Sequence, residues 1–190
     1  MMVQTLDWII YTLAVLWLLI VLIAFLVPLA YGLPPTPTRR ARIRKALKLV
    51  HLQPGETLYD LGAGDGRVLI IAAKEFSAQA VGIEAGPVQC AQAWFNSLLN
   101  GTSSQVRVKR GNFFKADLSQ ADVVFAYLTS DYVLRLEKQL KNQLKPGARV
   151  VTISFDLQDW EPQTFDRREL IFVYQMPPTE GNLGTFMQKR

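Results

Sequence analysis

Three glycines at alternate positions stand in the string Tyr59-Asp60-Leu61-Gly62-Ala63-Gly64-Asp65-Gly66-Arg67. One acid, Asp60, lies two residues before the first glycine, and another, Glu84, lies 18 after the last. Alternate glycines allow positive φ and let a ligand lie against the main chain along Gly62, Ala63 and Gly64. Amides at the start of a following helix would point at that ligand. A carboxylate at the end of the next strand, where Glu84 falls, can accept both hydroxyls of a ribose. Together these residues predict a site for a small molecule that carries a nucleoside. The dinucleotide fingerprint G-x-G-x-x-G would need its third glycine at Arg67, and the phosphate loop G-x-x-x-x-G-K-[ST] is absent.

A second set of polar residues sits further along. Asp122 to Leu128 is apolar enough on both faces to be a central parallel strand. Ligands in open α/β sheets gather at the carboxyl ends of the strands. Tyr127 and Asp131 are the polar groups at that rim. Either also has an ordinary structural use, Tyr127 as packing and Asp131 as the N-cap of a helix over Tyr132–Leu144. His51 and Cys90 are each the sole residue of their kind. No intramolecular disulfide is possible, and a Cys/His zinc site or a His-based triad has no material. Cys90 reads as a small hydrophobe on a helix face.

The elements that position these residues follow from periodicity. Thr57–Leu61 is a buried strand leading into the glycine turn, and Val68–Phe76 is the helix after it. Ala80–Glu84 is the second strand. Pro87–Leu99 is a helix, with Trp94 and Phe95 expected in the core, and Asn100-Gly101 ends it. Val106–Arg110 is the third strand. Lys145–Phe155 is a turn and fifth strand, Asp156–Phe165 a loop, Glu169–Tyr174 the sixth strand and Gly184–Gln188 a short seventh. Alternation of strands and helices predicts a mostly parallel sheet with an antiparallel edge.

Apolar residues and charge are spread unevenly over the 190 residues. Trp8 to Tyr31 holds 24 residues without a charge, a helix of about 36 Å against a hydrocarbon core of roughly 30 Å. It is longer than a signal-peptide core and lacks the basic start of one. Residues 39–50 carry six basic side chains and no acid, while 51–190 hold 15 of each sign. The net charge of +5 therefore lies beside the apolar segment, which points to anionic lipid headgroups and away from nucleic acid. Arginines follow the segment and none precede it, so the positive-inside rule puts the following domain in the cytoplasm as part of a single-pass membrane protein.

Residues 32–38 contain three prolines and make a stiff connector. Thr38 can cap the helix that follows. Arg39–Val50 is amphipathic, with Ile43, Ala46, Leu47 and Val50 on one face. Its basic face is either a solvated covering of the sheet edge or a membrane-surface helix that orients the domain, and both readings stand.

The string Asp60-Leu61-Gly62-Ala63-Gly64-Asp65-Gly66-Arg67 resembles motif I of the class I S-adenosylmethionine (AdoMet)-dependent methyltransferases, and so does Leu144-Lys145-Pro146-Gly147-Ala148-Arg149-Val150-Val151. The wider pattern covers roughly Pro34 to Tyr174. It is similar to the ATP synthase c-subunit lysine N-methyltransferase family and its bacterial relatives. That resemblance implies an α/β fold: a Rossmann-like seven-stranded class I methyltransferase sheet with helices on both faces, preceded by one N-terminal transmembrane helix. It divides the chain into an anchor over 1–31, a connector and basic helix over 32–50, and a methyltransferase domain over 51–190.

The resemblance also implies transfer of a methyl group from AdoMet to a protein lysine near the membrane, with the bilayer and a membrane-protein substrate as partners and neither metal nor nucleic acid. The cofactor would be bound by Asp60, Gly62, Ala63, Gly64, Gly66, Glu84, Asn112 and Phe113. Members of this class often place an acid at the position of Asn112 to hold the adenine amine, and the carbonyl of Asn can accept the same bond. Asp117 is a further acid near that position, or a turn residue. Tyr127 and Asp131 fall where the methyl is transferred. The N/D-P-P-Y string of enzymes that act on planar nitrogens is absent there, which weakens adenine, cytosine and glutamine as acceptors.

Overall fold

The computed structural model describes residues 2–30, 38–129 and 132–189. Residues 31–37, which hold all of the proline-rich connector but Thr38, and Asp131 lie outside the described residues. Helix α1, Met2–Ala30, contains an 18-residue window, Leu6–Ile23, of mean hydropathy 2.4 with none of it buried. Length and composition thus suit a span, and among the described residues nothing buries the window.

The remaining elements form one seven-stranded sheet. The strands are β1 (Thr57–Leu61), β2 (Gln79–Glu84), β3 (Val106–Arg110), β4 (Val123–Ala126), β5 (Arg149–Ile153), β6 (Thr164–Asp166) and β7 (Ile171–Gln175). Their spatial order is β3-β2-β1-β4-β5-β7-β6. Strands β1 to β5 pair in parallel, and β7 and β6 pair antiparallel at one edge. Leu61 registers with Ile83 on one side and with Ala126 on the other. The chain leaves β1 toward β2 and returns on its far side as β4, so the direction of winding reverses between β1 and β4. A crevice opens at the carboxyl ends of strands at such a reversal.

Helices α2 (Arg40–Leu49) and α3 (Arg67–Phe76) pack on one face of the sheet, and α4 (Pro87–Leu99) lies beside α3 against β2 and β3. Helix α5 (Val133–Gln143) covers the other, with Leu157 and Trp160. Ile43, Ala46, Leu47 and Val50 are all wholly buried, as their spacing predicts. Gly82 explains how closely α3 approaches β2: a Cβ there would lie 2.6 Å from Leu69 Cδ1 and 2.7 Å from Ala63 Cβ.

Four sequence-based expectations are corrected. The seventh strand is not Gly184–Gln188, which lies within helix α6 (Leu183–Gln188). Asn182 and Thr185 cap that helix reciprocally, at 3.0 and 2.9 Å. The edge position goes instead to Thr164–Asp166, where Phe165 stacks on Phe172 at 4.6 Å. Thr38 makes no capping bond, because Arg39 is the N-cap of α2; the Thr38 carbonyl instead accepts from Arg67 Nη1 at 2.8 Å. Trp94 and Phe95 are not core residues. They are 60% and 52% exposed, on the outward side of α4.

The fourth correction concerns α2, where three of the six basic side chains over 39–50 are engaged within the domain. Arg42 donates to the carbonyl of Glu169 and, at 2.9 Å, to Ser154 Oγ. Arg44 forks onto Glu75 at 2.7–2.9 Å, and Lys45 meets Asp166 at 2.5 Å. Half of the basic residues therefore fasten α2 to α3, to the end of β6 and to the loop before β7.

Candidate functional site

The loop from Gly62 to Gly66 closes β1 and opens α3. Gly62, Gly64 and Gly66 have φ of 93°, 54° and 80°, values that only glycine adopts without strain. A Cβ on Gly62 or Gly64 would meet nothing within 4 Å, whereas one on Gly66 would lie 3.0 Å from Ala93 Cβ in α4. The first two glycines thus border open space at the crevice. The third lets α3 start against α4.

Four amides of the loop itself are spent within the fold. Gly62 and Ala63 both donate to the Ile83 carbonyl at 2.9 and 3.1 Å, and Gly66 donates to the Ala63 carbonyl at 2.9 Å. Gly64 donates to Glu84 Oε2 at 2.9 Å. With its donors turned inward, the loop makes a poor cradle for phosphate. What borders it is acid: Asp60, Asp65 and Glu84.

Glu84 ends β2 and is 8% exposed. Each of its oxygens is held by one amide, Oε2 by Gly64 at 2.9 Å and Oε1 by Gly86 at 2.8 Å. A carboxylate oxygen retains further lone-pair capacity, so the group is fixed in place yet able to accept ribose hydroxyls. Cys90 Sγ donates to the Glu84 carbonyl at 3.3 Å, and burial pushes its thiol pKa up. Asp60 is 3% exposed near the end of β1. Burial, then the charges of Glu84 and Asp65, push its carboxyl pKa up to about 8. Asp65 behaves oppositely. Burial works against its charge, but the Arg67 guanidinium, at 2.8 and 2.6 Å, outweighs burial and holds it below the usual carboxylate range. This cluster favours a ligand that brings positive charge and a ribose. AdoMet, with its sulfonium and ammonium, has that chemistry; a dinucleotide pyrophosphate does not.

Beyond the end of β2, where the Gly111 amide donates to the Glu84 carbonyl at 2.8 Å, Asn112 follows β3 and caps a short 3-10 turn, Phe113–Lys115, by accepting from the Phe114 amide at 2.9 Å. Phe113 is buried with its ring 4.3 Å from that of Phe114. Asp117 is a turn residue that accepts from the Ser119 amide at 2.9 Å. Tyr127 lies just beyond β4, half-buried, its ring packed on the α2–α3 side with the Arg42 guanidinium 5.8 Å from the centroid. Asp131 lies outside the described residues.

Three residues that spacing did not single out support the site. Gln139 in α5 donates to the Phe113 carbonyl at 2.8 Å and holds the aromatic turn. Asn96 in α4 donates to the Asp65 carbonyl at 2.9 Å and holds the glycine loop. The Thr129 hydroxyl is buried at the β4 rim with no hydrogen-bond partner among the described residues. None of the three had a readable signal, since Asn96 shares its helix with Gln89, Gln92 and Ser97. Among the described residues, no three His, Cys, Asp or Glu side chains stand close enough to hold a metal.

Comparison with known proteins extends this geometry. The family model described as the ANTKMT methyltransferase domain matches residues 60–164. A protein-lysine N-methyltransferase of Saccharolobus islandicus is 37% identical over 131 residues, 68% of this chain and 81% of its own. The ATP synthase c-subunit lysine N-methyltransferase of Xenopus laevis is 31% identical over 130 residues, and the match spans 57% of that longer protein. Among solved structures, an RNA methyltransferase of Salinibacter ruber in complex with S-adenosyl-L-homocysteine superposes with a TM-score of 0.74 at 34% identity, covering 77% of this chain and 97% of that one.

Proposed function

The chain belongs to the ANTKMT methyltransferase-domain family and is an AdoMet-dependent methyltransferase; from that premise we propose that it is anchored in a membrane by α1 and methylates a lysine of a membrane protein, with its catalytic domain in the cytoplasm. The observation that carries the acceptor class is the 37% identity to a protein-lysine N-methyltransferase across most of that enzyme's length. The exposed apolar window of α1 supports the anchor.

The cofactor supplies a methyl group already activated on a sulfonium, so the protein's work is alignment. In this reading Glu84 takes the ribose hydroxyls, Asn112 and Phe113 hold the adenine, and the open main chain at Gly62, Ala63 and Gly64 receives the rest. Asp60 contributes negative charge opposite the cationic groups. Gly66 supports this arrangement by seating α3 against α4. An incoming lysine must shed its proton before it can attack, and a desolvated rim lowers its pKa. Tyr127 is the rim group proposed to orient the amine, with Asp131 as a second candidate.

The test is incubation of membranes lacking this protein with radiolabelled AdoMet and the purified full-length enzyme. Label in a protein band, released as methyl-lysine on hydrolysis, is the expected result. Label confined to a lipid extract would replace protein by a lipid amine or a quinone precursor. Transfer to RNA instead, the acceptor class of the Salinibacter relative, would overturn the lysine assignment.

A further inference from the structure

We propose that the outward face of α4 is a docking surface that lies in the headgroup region of an anionic bilayer, with lipid phosphate received in the adjoining cleft between α2, α3 and α4. This rests on the anchored reading of α1.

The first observation is the face itself. Trp94, Phe95, Leu98 and Leu99 are 60, 52, 48 and 69% exposed. At 100° per residue they fall within one contiguous stripe of the helix, opposite the side on which Ala93 and Ser97 are buried. Four adjacent large apolar side chains facing water are costly unless something covers them. The second observation is continuity: α1 touches the domain at α4. The helix read as the membrane anchor therefore meets the domain on the element that carries this face.

The third observation is the charge beside it. A cleft of about 390 Å³ is lined by Arg40, Lys74, Asn96 and Asn100, together with the Arg44–Glu75 and Arg67–Asp65 pairs. Among the described residues the Arg40 and Lys74 side chains make no close ion pair or hydrogen bond, although Arg40 is near enough to act on the carboxylates of Asp65 and Glu75; with four basic and two acidic side chains, the cleft lining keeps an excess of two positive charges. Its two asparagines belong to α4 and its C-cap. One helix thus presents an aromatic and aliphatic stripe outward and two amides toward this positive charge on its flank. Acyl chain and phosphate occur side by side at the surface of an anionic phospholipid layer, and amphipathic segments that lie there combine these same features. Of the six basic residues over 39–50, the stretch whose sequence suggested this role, three are committed to Glu75, Asp166 and Glu169.

The experiment uses the full-length chain, with Cys90→Ser and a nitroxide at Leu98→Cys, reconstituted into vesicles of phosphatidylcholine with phosphatidylglycerol. Lys141→Cys on α5, across the sheet, is the aqueous control. The expected result is a ratio of oxygen to water-soluble nickel-chelate accessibility that is severalfold higher at position 98 than at 141. Leaving out phosphatidylglycerol should lower that ratio, and Arg40→Gln with Lys74→Gln should abolish its dependence on the anionic lipid. Equal ratios at 98 and 141 would overturn the proposal. Protection of position 98 from both relaxers would also overturn it, since that marks a protein contact. Persistence of the full ratio without anionic lipid would remove the phosphate site. Flotation after alkaline extraction separates this proposal from its premise: a chain stripped from the vesicles defeats both, while a retained chain leaves the depth ratios to judge the face alone.

Discussion

Asp60 carries a proton-linked cost that should be measurable without any substrate. Its carboxyl ionises at about 8 in the folded chain against 3.8 as a free side chain, because it is buried beside Glu84 and Asp65. A folded-state pKa raised in this way gives stability that is fully present below about pH 3.8 and lost as the pH climbs toward 8. At roughly 1.4 kcal/mol per unit, the loss between pH 4 and pH 7 has a ceiling of about 4 kcal/mol. Asp60→Asn removes the titration and introduces an amide that costs roughly 1–3 kcal/mol if half satisfied. The variant should therefore be no more stable than the parent at pH 5, and about 1–3 kcal/mol more stable at pH 7, with the gap widening further toward pH 8. For a chain of this size that is roughly 3–10 °C in melting temperature.

Thermal unfolding of the cofactor-free full-length protein in detergent, followed by circular dichroism from pH 5 to 8.5, measures the difference. A gap between the two melting temperatures that does not change with pH would refute the reasoning, as would a variant less stable than its parent at pH 8. The same variant tests the function: AdoMet should bind the parent more tightly as pH rises from 6 to 8, because Asp60 must release its proton to solvent to face a cationic ligand, and Asp60→Asn should show weak binding with no such slope.

Two further outcomes follow from the loop. Glu84→Gln loses one of two amide bonds and the charge facing the ribose. At roughly 1.5–3 kcal/mol for a charge-assisted bond, isothermal titration should show AdoMet affinity lowered about 10–100-fold; unchanged affinity in a folded variant would remove Glu84 from the site. Gly66→Ala combines a φ of 80° with a contact at 3.0 Å to Ala93 Cβ and should cost about 1–3 kcal/mol in urea unfolding. Gly101→Ala, at φ 69° in open space, should cost only the roughly 1 kcal/mol of backbone strain, and equal costs would show that the approach of α3 to α4 is not tight.

The parallel half of the sheet was legible because each of its strands is a short apolar run bounded by turn residues, and the glycine loop because its spacing is local. What escaped depended on partners far along the chain. Periodicity places Trp94 and Phe95 on α4 but does not say whether the sheet or the outside lies on that side; Gly66 and Ala93 decide it. The basic residues of α2 looked free because their acids, Glu75, Asp166 and Glu169, come 30 to 130 residues later. The Gly184–Gln188 segment contains β-compatible residues, but the Asn182–Thr185 capping box starts a helix there. The inward turn of the loop amides could not be read at all, since it rests on the carbonyl of Ile83 in a neighbouring strand.

The link from Arg67 to the Thr38 carbonyl has a consequence for reach. It ties the loop that begins α3 to the first described residue after the connector. From Ala30 to Thr38 there are eight steps along the chain, which span at most about 29 Å however they run. With α1 in a bilayer, the methyl-transfer crevice is leashed to a thin shell above the membrane and searches in two dimensions. Lysines within that height are presented at high effective concentration, while those on tall extramembrane domains are out of range. The leash would then act as a ruler, selecting acceptors by altitude before any side chain reads their sequence.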